Sequence, residues 1–337
     1  MINTLIVDDS SLARDIIRDF LEGNEHFKII GEAADGEEGV QKILSLNPDL
    51  VTLDIEMPKM NGLEVIEAVM KKASVPIVVI TSHDTAKTAY EATLRGALEF
   101  YPKDIFTAHL NPEKRREIYE TLKRISGVKL RQIASPVEPA FIKQPEQRTI
   151  HAVVIASSTG GPKALSSFFS LMPGDFPVPI IIVQHNSTGF DESFAQWLGT
   201  FTTLRVKLAE EGETPMPGVV YIARTDQHLT LQADGQTVVL RHNDDAPENN
   251  QKPAADVLFR TAAASLKQSV ISVVLTGMGS DGALGTEQIR QMGGITLAQD
   301  EESSLIYGMP KAAMETGCVD MVLPLTQIPE ELVRLTK

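Results

Sequence analysis

Residues 50–70 read LVTLDIEMPKMNGLEVIEAVM. A short apolar run, Leu50–Leu53, ends in Asp54, and a helical pattern, Leu63–Val69, follows. An apolar strand leading into an amphipathic segment is one βα unit. The same unit recurs on both sides. Strand-like runs Thr4–Val7 and Phe27–Ile30 precede it, and Ile77–Ile80 and Leu98–Tyr101 follow it. Helical patterns lie between them. The first carries Leu12, Ile16 and Phe20, with Ser10 or Ser11 as N-cap and Gly23 as a stop. Others run through Val40–Leu44, Ala86–Leu94 and Pro112–Ile125. Five such units in succession predict a doubly wound parallel sheet with helices on both faces.

Further along, the period breaks. From 126 to 148 the chain carries Pro136, Pro139 and Pro145, mixed charge and no sustained pattern, as an inter-domain linker would. At Ala152 the alternation resumes. Strand-like runs are Ala152–Ile155, Ile180–Val183, Val270–Leu275 and Ile295–Leu297. Helical patterns follow at Lys163–Leu171, Phe190–Leu198, Ala255–Leu266 and Ala283–Met292. A hairpin from Leu229–Gln232 to Val238–Leu240, turning at Asp234-Gly235, adds an antiparallel element. The expected organisation is an α/β domain over residues 1–125, a linker, and a second α/β domain over 149–337.

Composition narrows the function classes. The 337 residues carry a net charge of −14, which argues against nucleic-acid binding, since phosphate contacts need a basic surface. A lone cysteine, Cys318, cannot form an internal disulfide and reads as a small apolar residue. No apolar stretch is long enough to span a bilayer, and the N-terminus turns acidic at once, unlike a signal peptide. A cytoplasmic protein is expected.

Ligand sites in open α/β sheets lie beyond the carboxyl ends of the strands. In the first domain those ends carry Asp8 and Asp9, then Asp54, then Thr81 and Ser82, then Lys103. With strand order 2-1-3-4-5, Asp9 and Asp54 face each other. Clustered carboxylates repel and call for a cation, and oxygen ligands with room for water suit Mg²⁺. Asp54 could then attack an incoming phosphoryl group, with Lys103 and Thr81 contacting the product. Any one strand-end acid is more often merely solvated; the set of five argues otherwise. The segments VDDS, LDIEMPKMNGLE and ITS, with Lys103, resemble a response-regulator receiver domain, whose sheet is flavodoxin-like. That resemblance implies Asp54 as phosphoacceptor and Asp8, Asp9, Asp54 and the carbonyl of Glu56 around the metal. Phe100 falls at the family's aromatic reporting position, or is simply a core aromatic. Asp104 follows Lys103 where receivers usually have proline.

In the second domain three loops follow apolar strands: SSTGGP at 157–162, QHNSTGF at 184–190 and TGMGSDGA at 276–283. A serine hydroxyl needs an imidazole to take its proton, and the imidazole needs a carboxylate to orient it. Ser158, His185 and Asp281 supply the three. The Gly160-Gly161 turn, with Pro162 opening a helix, and Met278 offer backbone N–H groups for an oxyanion. Taken singly, SSTGGP could bind phosphate, His185 could be a satisfied strand-end histidine, and Asp281 could cap a helix. Together the loops resemble the catalytic domain of the chemotaxis protein-glutamate methylesterases, as do the domain order, GMP at 308–310 and the C-terminal GCVDMVLPL. The resemblance implies Ser158 as nucleophile with Thr159 beside it, His185 as base and Asp281 as acid. It also implies hydrolysis of receptor glutamate methyl esters, deamidation of glutamines, a histidine kinase as phosphodonor, and no cofactor for the esterase. The chain departs from the family at Ala156-Ser157, where Gly-Ala is common, and at Asn186-Ser187-Thr188, where Met-Pro-Pro is common. Three other functions remain to be weighed. An adaptor with a dead hydrolase-like domain would lack a triad member. A DNA-binding regulator would need a basic recognition helix after the linker. A nucleotide-binding enzyme would want a Walker lysine.

Overall fold

The structure is a computed structural model, and it describes residues 1–337 except 74, 83–85, 107–109, 129–139, 142–148 and 236. The chain divides into two compact units, Met1–Arg131 and Gln132–Lys337.

The first unit alternates strands and helices as its sequence period requires. Its strands are β1 (Ile2–Val7), β2 (Phe27–Ala33), β3 (Leu50–Leu53), β4 (Ile77–Thr81) and β5 (Glu99–Pro102). Its helices are α1 (Ser11–Glu22), α2 (Gly36–Leu46), α3 (Gly62–Met70), α4 (Ala86–Arg95) and α5 (Pro112–Ser126). The sheet order is β2-β1-β3-β4-β5, all parallel. β3 and β4 are buried at every position, because helices cover both faces. Ser10 caps α1 by accepting a hydrogen bond from Ala13 N, and Gly23 closes it with a right-handed φ of −63°. Asn61 and Glu64 form a reciprocal capping box that fixes where α3 starts, eight residues after Asp54. Register does the positioning. Val7 pairs with Leu53, so Asp8 and Asp54 emerge level with each other. Thr81 pairs with Pro102, which puts Lys103 one step beyond.

The second unit holds β6 (Ala140–Phe141), β7 (Ala152–Ser157), β8 (Ile180–Gln184), β9 (Arg205–Leu208), β10 (Val219–Ile222), β11 (His228–Asp234), β12 (Thr237–Asn243), β13 (Val270–Val274), β14 (Ile295–Gln299) and β15 (Met321–Leu323). Helices are α6 (Gly161–Ser170), α7 (Asp191–Leu198), α8 (Ala255–Leu266), α9 (Ala283–Gln291), α10 (Met309–Glu315) and α11 (Ile328–Thr336). The main sheet runs β6-β15-β14-β13-β7-β8-β10-β9, parallel except for β6, and β11 and β12 form a separate hairpin. The chain enters at β7, goes to β8 on one side and later to β13 on the other. The loops after these three adjacent strands therefore meet at the point where strand order reverses.

Several expectations need correction. Residues 140–141, placed in the linker, pair with the edge of β15; most of the rest of the 126–148 stretch lies outside the described residues, and Ser126 still belongs to α5. The hairpin closes with Asp234 paired to Thr237, so the turn lies after Asp234 rather than on it. Gly282, at φ 90°, is the N-cap of α9, so Asp281 does not cap its own helix. Strands β9, β10 and β15 and helices α10 and α11 escaped the sequence reading. Among the described residues, no helix is long and apolar enough to cross a membrane.

Candidate functional sites

At the carboxyl edge of the first sheet, the carboxylates of Asp8, Asp9 and Asp54 come within 4.8 Å of one another. Asp8 and Asp54 are buried, and Asp9 is exposed. Lys103 reaches in from the end of β5, 2.7 Å from Asp54 Oδ2 and 2.8 Å from Asp8 Oδ2. Asp54 Oδ1 accepts a hydrogen bond from its neighbour Ile55 N at 2.8 Å. Burial pushes the Asp54 carboxyl above its ordinary range; the Lys103 bond pulls the other way, and the charge of Asp8 adds to the rise. For Lys103 burial works against the ammonium, but the bonds to Asp54 and Asp8 hold its pKa above the usual value. Thr81 ends β4 fully buried, and Glu56 lies exposed two residues past Asp54. Lys103–Phe106 form a short 3₁₀ turn with Asp104 in it. Phe100 packs edge-on against Tyr90, ring centroids 4.9 Å apart, and both rings are buried.

Two hard, buried oxygen donors and one exposed one suit a small divalent ion that keeps part of its water. Asp8 and Asp54 together carry more negative charge than Lys103 alone neutralises. The donor set thus fits a cation such as Mg²⁺.

In the second unit, register again brings residues together. Ser157 pairs with Gln184, so Ser158 and His185 leave the sheet side by side, and His185 N donates to Ser157 O at 3.0 Å. On the other flank, Ser158 N donates to Thr276 O at 3.1 Å. His185 Nε2 lies 2.8 Å from Asp281 Oδ2. Both side chains are nearly buried, at 7% and 3% exposure. The other ring nitrogen, Nδ1, is buried and has no hydrogen-bond partner among the described residues. Ser158 and His185 are thus brought together, but no hydrogen bond joins them.

The Asp281 carboxylate is unusually well supplied with donors. Oδ2 accepts from Ala255 N at 2.6 Å as well as facing His185. Oδ1 accepts from Asp256 N at 3.0 Å, Gly282 N at 3.1 Å and Asn249 Nδ2 at 3.2 Å. Ala255 and Asp256 open α8, so a carboxylate sits on that helix's free N–H groups and positive end. Burial would raise the Asp281 pKa, but the bonds and charge of His185 and the backbone donors outweigh it and hold the carboxyl below its ordinary value.

Gln184 separates the two adjacent serines. Its Oε1 accepts from Ser157 Oγ at 2.7 Å, and its Nε2 donates to Ser158 O and His185 O at 3.1 and 2.9 Å. Ser157 is fully buried with its hydroxyl committed, whereas Ser158 retains 9% exposure. Thr276 ties the third loop in, donating to Thr159 O at 3.2 Å and accepting from Ile306 N at 2.9 Å. Two glycines are required by close approach: a Cβ on Gly161 would collide with Gln184 Oε1, and one on Gly277 with Met309 Sδ and, at 2.8 Å, with Ser158 Cβ. Met278, next to Gly277, is half-buried, and its N–H and that of Gly160 make no hydrogen bond to a described residue.

Known proteins share this pairing of domains. A model of the CheB methylesterase family matches residues 153–332, and the response regulator receiver domain matches residues 4–112. A protein-glutamate methylesterase/protein-glutamine glutaminase of Pyrococcus abyssi is 40% identical over 342 residues, covering 99% of this chain and 93% of that protein. The chain belongs to the CheB methylesterase family. Its Thermotoga maritima relative of the same description is 38% identical, covering 99% of this chain and 98% of that one. The crystal structure of the Thermotoga maritima CheB methylesterase catalytic domain superposes with TM-score 0.54 at 42% identity, over 56% of this chain and all of that one.

Within this CheB chain, the sequence reading left out Gln184, Asn249, Asp256, Thr276 and Gln299. Gln299 accepts from Thr276 N at 2.8 Å and is fully buried. One signal could have found two of them. Gln184 ends an otherwise apolar strand and Gln299 one with a single threonine, and a buried amide must find partners among the loops that follow.

Proposed function

We propose that the second unit is a serine esterase acting on γ-methyl esters of receptor glutamates, and that the first unit controls it through phosphorylation of Asp54. The carrying observation is His185 between two partners of different kind: Nε2 engaged by Asp281 at 2.8 Å, Nδ1 open and buried, one strand over from Ser158.

This geometry favours one tautomer. With Nε2–H donating to Asp281, Nδ1 keeps its lone pair and is the base. In the serine-protease template the two nitrogens have the opposite assignment, but the logic is unchanged. Ser158 Oγ attacks the ester carbonyl as Nδ1 takes its proton. The C=O electrons move to oxygen, where the N–H groups of Gly160 and Met278 are candidate donors, with Thr159 beside them. Collapse expels methoxide, which leaves as methanol with the proton from Nδ1. Water then attacks the glutamyl-enzyme, again through Nδ1, and releases glutamate and free Ser158. A glutamine side chain gives the same acyl-enzyme with ammonia leaving, in keeping with the glutaminase description its relatives carry.

In the first unit, Asp54 attacks the phosphorus of a kinase phosphohistidine or a small phosphodonor; the new O–P bond forms as the donor's P–N or P–O bond breaks, and the free histidine or the donor's acid leaves. Asp8, Asp9 and Asp54, with the Glu56 carbonyl, would hold Mg²⁺, which offsets charge on the phosphoryl oxygens. Lys103 pairs with the acyl phosphate, and the Thr81 hydroxyl follows it. On this reading the substrates are chemotaxis receptors, met at the cytoplasmic side of the membrane. The simplest coupling is inhibitory: the unphosphorylated receiver lowers esterase activity, and phosphorylation relieves it. The test is methanol release from methylated receptor membranes. Release that depends on Ser158 supports this function, and release unaffected by Ser158→Ala excludes it.

A further inference from the structure

Behind the His185–Asp281 pair lies a second buried acid that esterase chemistry does not itself require. Asp256, on the first turn of α8, is 1% exposed. Its Oδ1 accepts from Gly285 N at 2.6 Å, and its Oδ2 accepts from Asn249 Nδ2 at 2.7 Å. The same Asn249 nitrogen donates to Asp281 Oδ1 at 3.2 Å. One amide thus bridges two buried carboxylates with its two hydrogens. Asn249 adopts a left-handed φ of 55°, a conformation asparagine tolerates better than most residues.

We infer that Asn249 and Asp256 are positioning residues for the triad: Asp256 fixes the Asn249 amide, and Asn249 holds Asp281 Oδ1 so that Oδ2 faces His185 Nε2. This inference rests on the esterase reading above. A carboxylate held only through Oδ2 could rotate about its Cβ–Cγ bond and lose the imidazole. The backbone donors Asp256 N and Gly282 N restrain Oδ1 from one side, and the Asn249 amide supplies a side-chain restraint of its own. The amide is neutral and has two hydrogens, so it can stand between two acids without adding charge. A carboxylate at position 249 would have the same shape and no donor.

The surroundings contain few other charges. Glu248 is paired with Arg260 at 2.8 Å. Buried His228 accepts from Ala254 N at Nδ1, 3.1 Å, and faces Ala246 O at Nε2, 3.1 Å, so both ring nitrogens are partnered and the ring secures the loop carrying Asn249. Asp281, Asp256 and His185 are therefore the groups whose ionisation a substitution at 249 will disturb.

The test uses the full-length protein, phosphodonor present, and methanol release from methylated receptor membranes. Asn249→Asp is expected to lower kcat by about tenfold to a hundredfold with KM within about twofold, the signature of lost transition-state support. The added negative charge favours the protonated imidazole, so the acidic limb of the pH–rate profile moves to higher pH. Asn249→Gly keeps the left-handed backbone and removes only the amide. It is expected to lower kcat about tenfold with little movement of that limb, and it carries the test if Asn249→Asp does not fold. Both folded variants turning over within about twofold of the parent, with an unshifted limb, would overturn the inference. So would a loss of rate that merely tracks a loss of folded protein. Failure of the parent itself to release methanol would instead overturn the esterase reading, so the two are distinguishable.

Discussion

Asp54 and Asp281 are the same residue type in similar places. Each is buried and follows a central parallel strand of an α/β sheet. The two are held in opposite ways. Asp54 has one backbone donor and a lysine that it shares with Asp8, and burial leaves its carboxyl above the ordinary range. Asp281 has three backbone N–H donors, an amide and an imidazole, and is held below the ordinary range despite its burial. An under-solvated carboxylate gains by binding a cation or reacting, which suits a phosphoacceptor. A saturated carboxylate stays an anion and stays in place, which suits an acid that only orients a base. The donors around a carboxylate, more than its burial, separate the two chemistries.

The contrast can be broken most decisively in the hydrolase. Ser158→Ala should lower methanol release by about 10⁴-fold or more, and His185→Ala by a comparable factor, because triad members act as a unit. Ser157→Ala should leave most activity, since that hydroxyl is already spent on Gln184. Equal losses at Ser157 and Ser158 would contradict the assignment. Asp281→Asn should cost about 10²- to 10⁴-fold in kcat, read in the same assay. It should also lower the melting temperature, because an amide nitrogen cannot accept from the donors gathered there, at roughly 1–3 kcal/mol for each buried group left unmatched.

A smaller effect is expected from separating the units. A fragment spanning 132–337, which retains the edge strand at 140–141, should exceed the unphosphorylated whole chain by about ten- to hundredfold on receptor membranes. Phosphodonor should leave the fragment unchanged. A fragment slower than the unphosphorylated chain would exclude inhibition by the receiver and require positive activation by it.

The smallest effect sharpens the comparison itself. The same substitution, Asp→Asn, should move stability in opposite directions at the two sites. Because the folded pKa of Asp54 is raised, its ionised form costs stability as pH rises through the folded value, so Asp54→Asn should melt higher than its parent at neutral pH without metal. Because the folded pKa of Asp281 is lowered, its contribution is present above the ordinary carboxylate pKa and lost as pH falls through the folded value. The deficit of Asp281→Asn should therefore be largest near neutrality and shrink in acid. Melting curves across pH read both, and shifts of the same sign would refute the contrast.

Much of this was legible in the sequence, for an identifiable reason. Residues that end buried parallel strands, such as Asp54, Ser158 and His185, are marked by the abrupt change from apolar to polar, and register then brings them level. Strand β15 has only three residues, too few for a period, and β9 alternates Arg205, Val206, Lys207 and Leu208 as an edge strand can. Asn249 and Asp256 were illegible for a different reason. They sit in a polar loop and a helix start with no local sign that Asp281, 32 and 25 positions away, needs their donors. That His185 faces Asp281 with Nε2 rather than Nδ1 is likewise a matter of three-dimensional placement, which spacing does not encode.

The most direct test of the coupled account is methanol release from methylated receptor membranes by the full-length protein, with and without acetyl phosphate and Mg²⁺, in the parent and in Asp54→Asn. The account predicts that phosphodonor raises release from the parent about ten- to hundredfold, and that Asp54→Asn neither becomes labelled nor responds. Release that rises equally in Asp54→Asn, or a parent that is labelled at Asp54 with no change in release, would contradict it.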